Sequence, residues 1–233
     1  MNKNAERLLP LYSELAEKIR TKDFLVDKSG VKLVEILSPR VLLIPSDLFI
    51  DFKTRKSPRK YIETEHDWYM SHSLKNDKVS HIKIWEMVAD DHFEINSNYG
   101  NLVYSRNNFS QFWNVVENLK NHKESRQGII IYTRPSIHYE WNSHGVSDFI
   151  CSNFQQFFIR NDKLHTVTSM RSNDCWTGTF SDIPWFHHVI NHMYSTLLET
   201  YTDLTLGDHI FIPNSFHCYE RNFDKLLEMV DSE

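Results

Sequence analysis

Residues 154–172, FQQFFIRNDKLHTVTSMRS, constrain the fold more than any other segment. Phe, Ile, Val and Thr are dense on either side of Asn161-Asp162, a dipeptide suited to a tight turn. The segment therefore predicts two antiparallel strands. Because the turn lies midway between Cys151 and Arg171, such a hairpin brings those two residues together. GIIIYTR (128–134) is a dense β-branched run that predicts a buried strand, and DHIFIPNSFHCY (208–219) predicts another. KDFLVDKSGVKLVEIL (22–37) reads as strand, turn at 27–30, strand. Helical spacing marks 4–21, about 60–72, 107–122, and Pro184 to about Glu199. Helices and strands mix without strict βα alternation, which gives the α+β class.

A chain of 233 residues can bury one large core. No repeat, low-complexity tract or Pro/Gly/Ser linker divides it, so residues 1–233 read as a single domain. A net charge of −5 argues against a nucleic-acid polymer as partner, whereas a single phosphate needs only a few local cations. The glycines, six in all, form neither a GxGxxG nor a P-loop pattern. Cys151, Cys175 and Cys218 lack CxxC spacing and read as free thiols of a reducing compartment, the cytoplasm. No signal-peptide core or membrane-length apolar run is present. His187 and His188 are adjacent rather than one helical turn apart, and no HExxH occurs, so no metal is expected.

Several side chains could carry chemistry. Cys151 precedes an apolar strand; it reads either as a buried structural thiol or, with a cation beside it, as a nucleophile. Arg171-Ser172, Ser125-Arg126 and Lys28-Ser29 each pair a cation with a hydroxyl, a fit for phosphate that a solvated surface would also produce. His217 and Tyr219 alternate along a strand and share a face, suited to sugar hydroxyls or to a half-buried polar edge.

Taken together, these segments resemble the thymidylate synthase superfamily in its own order. Ile150-Cys151 with Gln156-Phe157-Phe158 resembles the nucleophile motif, and Arg171-Ser172-Asn173-Asp174 followed by Gly178 and Asp182 resembles the arginine–serine–aspartate signature. Glu65 in Glu-x-x-Trp, Ile84-Trp85, Asn98-Tyr99-Gly100, Ser125-Arg126 and His217-Cys218-Tyr219 also match. Residues 94–100, 131–136 and 170–174 look like the phage deoxycytidylate 5-hydroxymethylase branch, and the resemblance covers roughly 20–225.

The resemblance implies a mixed β-sheet covered by helices, with one sheet face forming a dimer interface. It implies a pyrimidine mononucleotide substrate, dCMP, and 5,10-methylenetetrahydrofolate as co-substrate. Cys151 would add to C6 of the base, with Glu65, Asp182 and Tyr99 completing the catalytic set. Lys28, Arg126, Gln156, Arg171, Ser172, Asn173, His217 and Tyr219 would bind substrate, Arg126 from across the dimer. Trp85, Asp174 and Gly178 would hold the folate. Asp182, where synthases carry Asn, would select cytosine, because a carboxylate accepts from the 4-amino group and again from a protonated N3.

The chain departs from the family pattern in several places. Gln127 replaces a second arginine, Lys28 stands where synthases have Arg, and Ile150 stands where they have Pro. The chain ends at Glu233, soon after the sugar-binding strand, so the synthase-type C-terminal tail is missing or replaced. The competing readings are a CMP hydroxymethylase, a dUMP-acting synthase, or a non-catalytic nucleotide- or RNA-binding relative.

Overall fold

A computed structural model describes residues 1–142 and 147–233. The hairpin forms about the expected turn, with β5 (Ser152–Arg160) and β6 (Lys163–Met170) antiparallel and Phe157 opposite Thr166. Asn161 (φ 49°) and Asp162 (φ 56°) both take the left-handed conformation that a two-residue I′ turn needs. Around this pair a five-stranded sheet runs in the order β3 (Val41–Leu43), β8 (Thr205–Pro213), β6, β5, β4 (Ile129–Ile131). A four-stranded sheet has the order β1 (Leu25–Val26), β2 (Lys32–Leu37), β9 (Ser215–Tyr219), β7 (Asn173–Asp174).

The two sheets are one surface broken along a line. Ser38 N donates to Asn214 O (2.9 Å), Asn214 N to Met170 O (2.7 Å), and Arg171 N to Cys151 O (2.8 Å). Three neighbouring strand paths therefore bend at the same level, and Ser38 takes φ 48° to do so. The segment 208–219, expected as one strand, is for this reason two, divided at Asn214. The nucleophile candidate and its arginine both sit on the break.

Alternation along β5 buries Ser152, Gln155, Phe157 and Ile159 and leaves Phe154, Gln156 and Phe158 half-buried on the other face. Against the buried face lies α7 (Thr179–Leu198), where Gln155 Nε2 donates to Phe186 O at 3.1 Å. The helix starts before Pro184, which lies inside it, so proline here does not mark the first turn. α1 (Lys3–Arg20), α2 (Arg59–Ser71) and α5 (Gln111–Asn121) lie close to the expected helices, α5 preceded by a short 3₁₀ turn at Arg106–Asn108. The expected first strand of 22–37 shrinks to the two residues of β1. The sequence reading missed α3 (Lys83–Val88), α4 (Tyr99–Tyr104), α6 (Ile137–Glu140) and α8 (Phe223–Ser232). Most of these are too short for a periodic signal. Gly100 lets α4 rest directly on α2, since a Cβ there would lie 1.9 Å from Tyr69 O. That contact stacks Tyr99 on Tyr69, ring centroids 5.4 Å apart.

Beneath the sheet runs a buried imidazole chain. His187 Nδ1 meets Asp47 O (3.0 Å), His187 Nε2 meets His209 Nδ1 (3.0 Å), and His209 Nε2 meets Thr168 Oγ1 (2.8 Å). Both rings are fully buried. Burial holds His187 down to about 4 and His209 well below the usual imidazole range. A histidine depressed in the fold contributes stability that is present above the unfolded value and lost as pH falls from about 6.5 toward 4. His187 alone corresponds to about 3 kcal/mol. Two imidazole NMR signals are expected to stay untitrated down to near pH 5. Two ring signals that titrate near 6.5 would contradict this.

Candidate active site

At the break in the sheet the Arg171 guanidinium folds back over the preceding strand. Its Nε donates to Ile150 O (3.0 Å), and its Nη2 to Phe149 O (2.6 Å) and to Cys151 Sγ (3.4 Å). The sequence expectation was a thiol made acidic by this cation. Instead burial pushes the Cys151 thiol up to about 11; Arg171 opposes the rise, and the charges of Asp182 and Asp148 add to it. The single chain surrounds its thiol with more desolvation and negative charge than one guanidinium offsets.

Asp182, in the first turn of α7, is half-buried. Its Oδ2 accepts from Asn173 Nδ2 at 2.8 Å. Asn173 is itself buried, and its Oδ1 accepts from Thr179 Oγ1, so both ends of its amide are committed within the protein. Asn173, expected to bind substrate, thus holds Asp182 in place. Gly178 leaves room for this arrangement, since a Cβ there would lie 3.0 Å from Asp182 Oδ2 and 3.1 Å from Asn173 Nδ2. Burial, then the charge of Glu65, raise the Asp182 carboxyl well above the usual range, and the Asn173 bond opposes them.

Glu65 is buried on α2, where Tyr61 Oη donates to its Oε1 at 2.7 Å. Burial pushes this carboxyl up to about 7 against the opposing hydrogen bonds of Tyr61 and Tyr69. Tyr99 Oη accepts from Ser152 Oγ (3.0 Å), and the Tyr99 phenol is raised by burial and then by the charges of Asp182 and Cys151. Cys151, Asp182, Glu65 and Tyr99 therefore form one electrostatically connected group, assembled from the residue just before β5 and from α7, α2 and α4.

Next to it opens a cleft of about 290 Å³ lined by Ser172, Ser215, His217, Tyr219, Glu35 and the β1 strand. His217 and Tyr219 do share a face, with ring centroids 4.9 Å apart. Lys28 is exposed on the loop after β1, its Nζ 4.8 Å from the Trp141 ring centroid. Asp174 spends Oδ1 on the backbone N–H groups of Trp176 (2.9 Å) and Thr177 (3.3 Å), and Oδ2 on Arg221 (3.3 Å). Trp85 is half-exposed on α3, packed 5.0 Å from Trp68, and its buried indole N–H has no acceptor in bonding geometry. A half-exposed aromatic face fits a flat heterocycle such as a pterin.

Two expected residues are not brought to this group. Gln156 lies on the other sheet face, donating from Nε2 to Arg126 O at 2.8 Å, and Arg126 is exposed beside it. Sequence reading also passed over Tyr61, one helical turn before Glu65, and Arg55, whose guanidinium lies 5.2 Å from the Trp176 ring centroid and 4.5 Å from that of Phe180. The i,i+4 spacing to Glu65 was the available signal for Tyr61.

The profile of the thymidylate synthase family matches residues 12–233. The chain belongs to that family. It is 37% identical over 209 residues to the deoxycytidylate 5-hydroxymethyltransferase of Enterobacteria phage T4, covering 88% of this chain and 83% of that protein. The phage T6 protein of the same name gives the same identity and coverage. A putative thymidylate synthase of Methanocaldococcus jannaschii is 26% identical over 128 residues, 54% of this chain and 58% of the relative. Family membership implies an enzyme of folate-dependent one-carbon transfer, acting on a pyrimidine nucleotide. No described helix is long and apolar enough to cross a membrane, and no group of potential metal ligands occurs among the described residues.

Proposed function

We propose that the chain converts dCMP to 5-hydroxymethyl-dCMP with 5,10-methylenetetrahydrofolate and water, acting as one catalytic domain over residues 1–233 in the cytoplasm. The observation that carries this reading is the Asp182 carboxyl, fixed by Asn173 and within charge range of Cys151. A synthase-type uracil site needs an amide there.

In this reading Cys151 Sγ bonds to C6 of the base, and C5 becomes nucleophilic. Asp182 accepts from the cytosine 4-amino group. Its raised pKa leaves it able to share a proton with N3 as negative charge develops in the ring. Arg171 and Ser172 bind the phosphate, which requires the guanidinium to leave the Phe149 carbonyl; His217 and Tyr219 face the sugar. Methylenetetrahydrofolate, when bound, supplies a one-carbon unit at the oxidation level of formaldehyde. Trp85 would stack on its ring, and Asp174, on releasing Arg221, would meet its edge near Gly178. Tyr99 and Glu65 are the groups that move the proton lost from C5. Glu65, half-ionised near pH 7, orients the water that becomes the hydroxyl and takes up its proton. Cys151 then leaves C6 as a thiol.

The half-buried sheet face of Phe154, Gln156, Phe158 and Val167 is assigned to a homodimer interface. Arg126, tied to that face through Gln156, would reach the phosphate of a second copy. It would also supply the positive charge that the Cys151 thiol lacks in one chain. Sedimentation is expected to show a dimer. Arg126→Ala is expected to raise the KM for nucleotide by about tenfold or more, the scale of one charge-assisted contact, with the dimer intact. A monomer, or an unchanged KM, would contradict this assignment.

Tritium release from C5-labelled dCMP, CMP and dUMP, with and without methylenetetrahydrofolate, tests the reading. Folate-dependent release from dCMP is expected to exceed that from the other two. Absence of release from dCMP, or release from dUMP alone, would overturn it.

A further inference from the structure

The catalytic group described so far includes no role for Tyr61, yet this side chain makes the direct side-chain hydrogen bond that fixes Glu65. Tyr61 and Glu65 are separated by one turn of α2, and Tyr61 Oη donates to Oε1 at 2.7 Å. Tyr61 is half-buried, and the charge of Asp182 on α7 acts on its phenol. On α3 the buried Trp85 indole N–H has no hydrogen-bond partner, and it is among the groups that act on the same phenol. Tyr61 therefore stands between the ring assigned to folate stacking and the carboxyl assigned to water and proton handling.

We propose that Tyr61 is a positioning residue for the water-adding step: by occupying Oε1 of Glu65 it leaves Oε2 as the atom that meets water, and it joins Glu65 to Trp85. The inference rests on the role given to Glu65 under Proposed function. A carboxyl with one oxygen occupied has one orientation in which to accept a proton, whereas a free one rotates among several. The titratable groups acting on Glu65 are Tyr61 and Tyr69 from its own helix, and Asp182 couples to it from α7. Both tyrosines favour the ionised carboxylate, so losing the Tyr61 donor shifts Glu65 toward its protonated form.

The test compares Tyr61→Phe, Glu65→Gln and the unaltered enzyme. Tyr61→Phe keeps the ring and removes only the hydroxyl. Its kcat for hydroxymethyl product is expected to fall about tenfold or more. The KM for dCMP should hold, and the acid limb of kcat against pH should move upward from near 7. Infrared difference spectra supply a readout independent of turnover: the protonated carboxyl band absent in Glu65→Gln should titrate at higher pH in Tyr61→Phe. An unmoved limb and an unmoved band in Tyr61→Phe, with Glu65→Gln inactive, would overturn the inference while leaving the function intact. Full hydroxymethylation by Glu65→Gln would instead overturn the role of Glu65 on which it rests. If Tyr61→Phe unfolds, Trp85→Phe, which removes the indole donor, is expected to lower kcat with unchanged KM for dCMP; an unchanged kcat there overturns the Trp85 link.

Discussion

Cys151→Ala is expected to abolish tritium release from C5 of dCMP, by a factor on the order of 10⁴ or more, while dCMP still binds. No neighbour can take over. Ser152, the adjacent hydroxyl, points the other way and donates to Tyr99 at 3.0 Å. Arg171 is held by the carbonyls of Phe149 and Ile150 as well as by the thiol, so its guanidinium survives loss of the sulfur. Binding measured by calorimetry should therefore stay within a few-fold of the unaltered protein. The thiol itself, pushed up to about 11, is almost wholly protonated at neutral pH in the free chain. Its alkylation should rise with pH through 9 and beyond. Retained tritium release in the variant would refute the assigned nucleophile.

Asp182→Asn is the second large effect, and its direction follows from Asn173. That amide donates to position 182 in the folded chain, and its other end is held by Thr179. In the variant the new amide would turn its oxygen toward Asn173 and its NH₂ toward the base. A fixed NH₂ suits the O4 of uracil and opposes the 4-amino group of cytosine. The ratio of kcat/KM for dCMP over dUMP is expected to fall by roughly 10²–10⁴, the range set by leaving a buried polar group wrongly paired. A ratio unchanged by the substitution would place base selection elsewhere.

The parts of this molecule legible from sequence were those governed by local rules. The 154–172 hairpin could be read because β-forming residues flank a turn dipeptide, and a turn at that point carries Arg171 to Cys151. The spacing marked α1, α2 and α5, but not α8, which is nearly as long as α5. The break in the sheet was not legible, because it is set by hydrogen bonds among Ser38, Asn214, Met170, Arg171 and Cys151, which are distant in the chain. α7 was started too late because Pro184 looks like a first-turn residue when its tertiary cover is unknown. At the site, residue identities came through the family resemblance, whereas their division of labour did not. Asn173 became a support for Asp182, Asp174 turned out to close its own turn, and Gln156 lies on the opposite sheet face. The raised Cys151 thiol also lay beyond sequence, because desolvation depends on what packs around the sulfur.

The most direct measurement of the central claim is product identity with dCMP and methylenetetrahydrofolate in ¹⁸O-labelled water. The account predicts 5-hydroxymethyl-dCMP carrying one ¹⁸O, together with tetrahydrofolate and no rise in dihydrofolate absorbance. A methylated nucleotide with stoichiometric dihydrofolate, or no reaction with dCMP, would contradict it.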